Sequence, residues 1–171
     1  MTPARALSLV ALCSIDLHCQ NRWVTKLQIR QFEKRDTDSV IRLANEYAFF
    51  DGPISEDDLK ITHTFPQGLI VAEEDNRVVG VVYGYFREIP PAVLENWGVS
   101  KVATIELLVV NPEYGKRGVG TLLLESLIDV FKRAGTDMVG LTCPVKAKQA
   151  RRLYEKLGFK VSAYHMRKRL D

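Results

Sequence analysis

Residues able to handle an anion sit together in one stretch of this chain. Glu106-Leu107-Leu108-Val109-Val110 reads as a buried strand, and Asn111-Pro112 ends it. Glu113-Tyr114-Gly115-Lys116-Arg117-Gly118-Val119-Gly120-Thr121 then turns into a helix. Glycines in such a turn let the backbone come close to a ligand. The first N–H groups of a helix have no partner within it, and the helix dipole adds partial positive charge there. Lys116 and Arg117 add full charges. The combination suits a pyrophosphate. A Gly-x-Gly by itself fits equally well a plain strand-to-helix turn in which glycine only relieves crowding.

Other side chains carry weaker signals. Glu106 stands in an apolar run, where a lone carboxylate is costly unless paired or useful. It is the best candidate for a general base; the alternative is a glutamate on the wet side of its strand, or one paired with a basic residue. Lys146, Lys148, Arg151 and Arg152 make the start of the last helix basic. They could meet phosphates or form a solvated face, the usual fate of a charge run. Cys143 has no histidine pattern beside it and reads as a small buried residue at a strand end. His18, His63 and His165 lack metal-ligand spacing, so no metal is expected. Arg167-Lys168-Arg169 could touch RNA, though a polar terminus explains it as well.

The elements that must position these residues follow from periodicity. Leu27 to Phe32 alternates as a half-buried strand. Asp36 or Thr37 can cap a helix with an apolar stripe of Val40, Ile41, Leu43, Ala44 and Tyr47. Asp51-Gly52-Pro53 breaks it, and Ser55 then caps a short acidic helix, with Asp58 three residues on as an imperfect capping box. Leu69 to Glu73 and Val78 to Phe86 flank Asp75-Asn76-Arg77, a hairpin signal. Arg87 to Lys101 reads as a long loop, and Val102 to Val110 as a strand. A long amphipathic helix follows from about Gly118 to Ala134, with Gly135 as its C-cap. Met138 to Cys143 is a strand, Lys146 to Leu157 a helix closed by Gly158, and Phe159 to Leu170 a closing strand. Hairpins mixed with crossover helices predict an α/β fold with a mixed sheet. The crossover from Val102 to Cys143 is expected to be parallel and right-handed.

Bulk properties narrow the class. The chain has 171 residues and a formal charge of +3, a size that suits one domain and a charge too small to argue for nucleic acid. Three cysteines, Cys13, Cys19 and Cys143, have no framework spacing, which predicts reduced thiols and a cytoplasmic protein. No apolar run is long enough to span a bilayer. Ala6 to Leu12 is apolar, but it is short, Asp16 follows soon, and no cleavage site appears. Residues 1–23 are therefore expected to be an appendage outside the fold, and residues 24–171 a single domain. One reading has translation starting at Val24; a native mass that includes Met1 to Trp23 would exclude it.

Two motifs share one family resemblance. Leu108-x-Val110-x-Pro112-x-Tyr114, the glycine turn and Leu122-Leu123-Leu124 resemble the acetyl-coenzyme A motif of the GNAT superfamily of N-acetyltransferases. Ala150-Arg151-Arg152-Leu153-Tyr154-Glu155-Lys156-Leu157-Gly158-Phe159 is similar to that family's Ala-x-x-x-Tyr-x-x-x-Gly-Phe element, at the expected distance. The resemblance covers about Lys26 to Leu170 in element order and is sharp from Glu106 to Phe159. Two positions depart from the pattern. Gly115 stands where the family usually has Arg or Gln, and Ala147 where it often has Asn.

The resemblance implies a splayed central sheet flanked by helices, with acetyl-coenzyme A as co-substrate. Pantetheine is expected to bond to backbone groups of Leu108, Val109 and Val110, and the phosphates to Lys116, Arg117, Gly118, Val119, Gly120 and Thr121, with Ala150 close by. A backbone amide near Val109 or Val110 is expected to hold the oxyanion. Glu106 is implied as base, and Tyr154 as donor to the leaving sulfur. The acceptor is expected to be a small-molecule or peptide amine, attracted by Asp51, Glu56, Asp57 and Asp58, with Tyr83, Tyr85 and Trp97 as candidate pocket walls. Acidic helix starts also arise from capping alone. A non-catalytic acyl-coenzyme A-binding module is the rival reading, favoured by Gly115 and Ala147. Neither membrane nor nucleic acid is expected as a partner, and a second copy of the chain stays open as one.

Overall fold

A computed structural model describes residues 27–48 and 52–170. Its centre is a five-stranded sheet in the order β1-β2-β3-β4-β5. The strands are β1 (Gln28–Gln31), β2 (Leu69–Glu74), β3 (Arg77–Phe86), β4 (Val102–Val110) and β5 (Met138–Leu141). The first four are paired antiparallel, and β5 joins β4 in parallel. That mixture follows from the connections. Asp75 and Asn76, both at positive φ, close a two-residue hairpin between β2 and β3. A parallel pair cannot be joined so tightly and needs a crossover helix.

Helices cover both faces. On one, Val40, Leu43 and Ala44 of α1 (Thr37–Tyr47) pack on Leu69, Val71, Val81, Leu107 and Val109. On the other, the crossover helix presents Val119, Leu123, Leu124, Leu127 and Phe131 to Ile70, Ala72, Val82, Ala103 and Ile105. Those five residues fall at helical spacing and are all buried, so they form one apolar stripe. Truncating Phe131 to alanine would cost about 3–5 kcal/mol by removing a fully buried ring. Short α2 (Glu56–Leu59) begins at the expected box: the Ser55 N–H and hydroxyl both donate to Asp58, at 2.7 and 2.8 Å.

Several expectations need correction. Arg87 to Lys101 is not all loop, because α3 (Pro91–Trp97) forms within it, started by Pro91 and stopped by left-handed Gly98. Proline at a first helical position and glycine just past the end are strong bracketing signals, and here they bracket only seven residues. Asp36 does not cap α1; its carboxylate accepts from the Glu33 N–H and from both Arg30 terminal nitrogens. The crossover helix, α4, runs Val119–Arg133, and α5 runs Lys148–Lys156. The closing strand is absent: residues 161–170 have no regular structure and are exposed. Alternation alone cannot secure a strand; it needs a partner that supplies hydrogen bonds and covers one face. Residues 1–23, with Cys13, Cys19 and His18, lie outside the described residues, as does Asp51. Among the described residues, no helix is long and apolar enough to cross a membrane.

Candidate active site

The sheet opens where β4 outruns β5. The two are in register from Val102–Met138 to Ile105–Leu141, and there β5 ends. Among the described residues, β4 continues to Val110 with only β3 beside it. Glu106 to Val110 therefore have no strand on the β5 side among the described residues, and an edge left this way offers backbone donors and acceptors to an extended ligand. At the opposite end the two strands are pinned. The Asp137 carboxylate accepts from the Ser100 N–H, the Ser100 hydroxyl and the Lys101 N–H at 2.6–3.0 Å. These bonds, the Ser100 side chain foremost, hold the Asp137 carboxyl below its usual value.

Glu106 stands at an irregularity in β4. Tyr83 pairs with Leu107 and Gly84 with Ile105, so Glu106 is the extra residue of a β-bulge. A bulge re-aims side chains. Ile105 accordingly belongs to the cluster under α4, whereas Leu107 belongs to the cluster under α1. Glu106 is exposed, so the cost of burying a carboxylate does not arise for it. Its charge reaches Tyr83, whose phenol is pushed above its usual value first by burial, then by Tyr85 and Glu106. Tyr83 is buried and Tyr85 half-buried, their rings 5.8 Å apart. Trp97, by contrast, is 46% exposed on α3.

The turn after β4 is built from three devices. Asn111 Oδ1 accepts from the Glu113 N–H at 3.0 Å and starts a short 3-10 turn, Pro112–Tyr114. Lys116 and Gly118 are then left-handed, with φ of 61° and 83°. Gly118 caps α4, and Leu122 is the first residue whose N–H bonds back to its carbonyl, at 3.0 Å. The N–H groups of Val119, Gly120 and Thr121 head the helix, where no preceding turn supplies acceptors. Gly120 is tightly surrounded instead. A Cβ there would stand 3.1 Å from Leu153 Cδ2 of α5 and 3.7 Å from Val110 Cγ2 of β4. The end of β4, the start of α4 and α5 thus converge on this glycine.

Most of the remaining expected site residues lie around that convergence. Leu108, Val110 and Tyr154 pack against the cluster under α4, Val119 is buried within it, and Val109 is buried on the α1 side. Thr121 and Ala150 are half-buried, and Lys116 is exposed. Tyr154 meets Phe159 edge-on at 5.9 Å. Burial, and then neighbouring Cys143, push its phenol up to about 12, so it stays protonated through any ordinary assay. Cys143 lies past the end of β5 and is half-buried, its thiol raised first by burial. Of the basic residues in α5, Arg151 pairs with Glu155 at 2.8 Å.

Two expected roles meet competing partners. The guanidinium of Arg117 is bound to Glu74. The acidic helix start is largely self-satisfied: Asp58 serves the capping box and Asp57 pairs with Lys60 at 2.6 Å. Among the described residues, no group of three or more His, Cys, Asp or Glu side chains could hold a metal ion. Glu74 escaped the sequence reading because its partner is 43 residues away and no local pattern links them.

With strand, turn and helix in this arrangement, the chain belongs to the acetyltransferase (GNAT) family, whose model matches residues 30–159. It is 30% identical over 133 residues to an uncharacterised N-acetyltransferase of Methanocaldococcus jannaschii, covering 77% of each chain. It is also 33% identical over 94 residues to the L-2,4-diaminobutyric acid acetyltransferase of Nocardia farcinica. That match spans 55% of this chain but only 44% of the relative. A Trypanosoma brucei acetyltransferase of known structure superposes with a TM-score of 0.62 at 25% identity, covering 85% of this chain and all of that one.

Proposed function

We propose that this protein transfers the acetyl group of acetyl-coenzyme A to a primary amine by direct attack, without an acyl-enzyme. The observation that carries the reading is the release of β4 from β5 after Ile105–Leu141, directly before the turn that heads α4. One edge offers backbone to pantetheine, and the turn offers amides to the phosphates. The amine nitrogen bonds to the acetyl carbon as the carbon–sulfur bond breaks. A backbone amide at Val109 or Val110 steadies the oxyanion. The ammonium proton leaves towards Glu106, directly or through water, and the departing sulfur takes a proton from Tyr154. A phenol held near 12 stays protonated at any working pH, so its hydroxyl is present as a hydrogen-bond donor to the sulfur as charge develops there.

The acceptor belongs to the class of small-molecule or peptide amines. The Nocardia relative, named for a diamino acid, makes diamino acids a first group to assay. Thiol release from acetyl-coenzyme A against a panel of amino acids, peptides, polyamines and aminoglycosides tests the proposal. Release with at least one amine supports it. Binding of acetyl-coenzyme A with no release across the panel would favour the non-catalytic binding module instead.

A further inference from the structure

Arg117 stands in the turn assigned above to the phosphates, yet its guanidinium is already engaged. Nη1 donates to Glu74 Oε2 at 3.0 Å and Nη2 donates to Glu74 Oε1 at 2.6 Å. Two parallel bonds to one carboxylate make the fork geometry in which charge-assisted pairs are strongest. The two ends sit in different surroundings: the Glu74 side chain is 5% exposed and that of Arg117 is 48% exposed. A carboxylate at such depth needs a partner to offset its desolvation, whereas a half-exposed guanidinium could find its bonds in water.

Placement gives the pair its meaning. Glu74 is the last residue of β2, on the face that Ile70 and Ala72 present to α4. The ion pair therefore joins the β2–β3 hairpin to the turn between β4 and α4. Arg117 lies between the two left-handed residues of that turn, Lys116 and Gly118. A left-handed lysine persists only where its surroundings hold it. Tyr114 adds a second hold, with the Arg117 guanidinium 5.2 Å from its ring centroid.

We propose that Glu74 is a positioning residue for the phosphate turn. Through Arg117 it holds the backbone from Gly115 to Gly118 in the shape that aims the N–H groups of Val119, Gly120 and Thr121 at the ligand. Arg117 acts as a fastener, and phosphate recognition falls to those amides and to Lys116. This rests on the reading of the turn as a coenzyme A site. It opposes the simpler idea that Arg117 is itself the phosphate ligand, and the two differ in sign. Were Arg117 a ligand restrained by Glu74, neutralising Glu74 would release it and tighten binding.

The test is Glu74→Gln, read by calorimetry with coenzyme A and by steady-state kinetics with two donors. The Kd for coenzyme A should rise about tenfold, the scale of one charge-assisted bond. Turnover at saturating acetyl-coenzyme A should hold, and kcat/KM for S-acetylpantetheine, which lacks the pyrophosphate, should not move. Arg117→Lys keeps the charge but not the fork, so it should weaken coenzyme A binding similarly. It also carries the test if Glu74→Gln fails to fold. Unchanged or tighter coenzyme A binding in a folded Glu74→Gln overturns the proposal. So does a double variant, Glu74→Gln with Arg117→Lys, whose losses add in full, because the arginine would then act independently of Glu74. A wild-type protein with no affinity for coenzyme A overturns the functional reading and this inference with it. Wild-type binding with an undisturbed Glu74→Gln overturns this inference alone.

Discussion

The turn after β4 and helix α5 meet at Gly120, but the rest of the molecule holds them by different means. The turn continues a strand paired with β3 over most of its length and leads into a helix with five buried residues. It is also tied sideways to the β2–β3 hairpin by Glu74 and Arg117. Helix α5 has no buried residue, and the chain beyond it runs without regular structure, with Tyr164 86% exposed. Leu153 and Tyr154 seat it on the sheet through partial contacts. The half of the site proposed to grip phosphate is thus built on the core, and the half proposed to serve the leaving sulfur is set against it from outside. Binding should therefore depend on backbone geometry and turnover on a more easily displaced side chain, and substitutions on either side can separate the two.

Gly118→Val should have the largest effect. A branched residue at φ 83° is strained, and relaxing that strain turns the head of α4 away. Acetyl-coenzyme A should then no longer raise the unfolding temperature, as a ligand of the native state otherwise does. A full shift in the variant means the phosphates bind elsewhere. Gly120→Leu asks whether the two halves are coupled. It should push against Leu153 and damage binding and turnover together, and loss of one alone would mean that α5 and the turn do not depend on each other at Gly120.

Tyr154→Phe should spare binding and lower kcat by roughly a hundredfold, as general acid help does. A weakened affinity with intact turnover would make the hydroxyl a ground-state ligand instead. The same variant checks the environment of the ring. A phenol raised to about 12 contributes stability that is complete below about pH 10, its unfolded value, and is lost as pH rises through 12. Alkaline denaturation curves should show that loss in the wild type and less of it in Tyr154→Phe.

Glu106→Gln should cost less, on the order of tenfold in turnover, because water can share the work of an exposed carboxylate. The loss should be greatest at low pH, where the amine is most protonated, with coenzyme A affinity unchanged. Wild-type rates across pH would send the proton by another route. Asp137→Asn should have the smallest effect, lowering the unfolding temperature by a few degrees. Its carboxyl sits below the usual value, so the stability it adds is present above about pH 4 and is lost as pH falls further. The gap between wild type and variant should close under acid.

Much of this arrangement was legible in the linear chain because it is local. The apolar stripe of α4, the hairpin at Asp75-Asn76, the capping box at Ser55 and the run from Val102 to Val110 each depend on neighbours within a few residues. Periodicity and turn chemistry report such neighbours directly. The glycine turn was legible for the same reason, although the left-handed backbone at Lys116 and Gly118 was not. What only the tertiary structure decided was the outcome wherever two distant segments compete for one group. Glu74 claimed the guanidinium of Arg117 across 43 residues, and Arg30 drew Asp36 away from capping α1. The bulge that sets Glu106 depends on where β3 falls in register. The segment after Phe159 has the alternation of a strand and stays outside the sheet. Alternation states which face a strand could bury; only a neighbouring strand, brought there by the rest of the chain, supplies the hydrogen bonds that make it one.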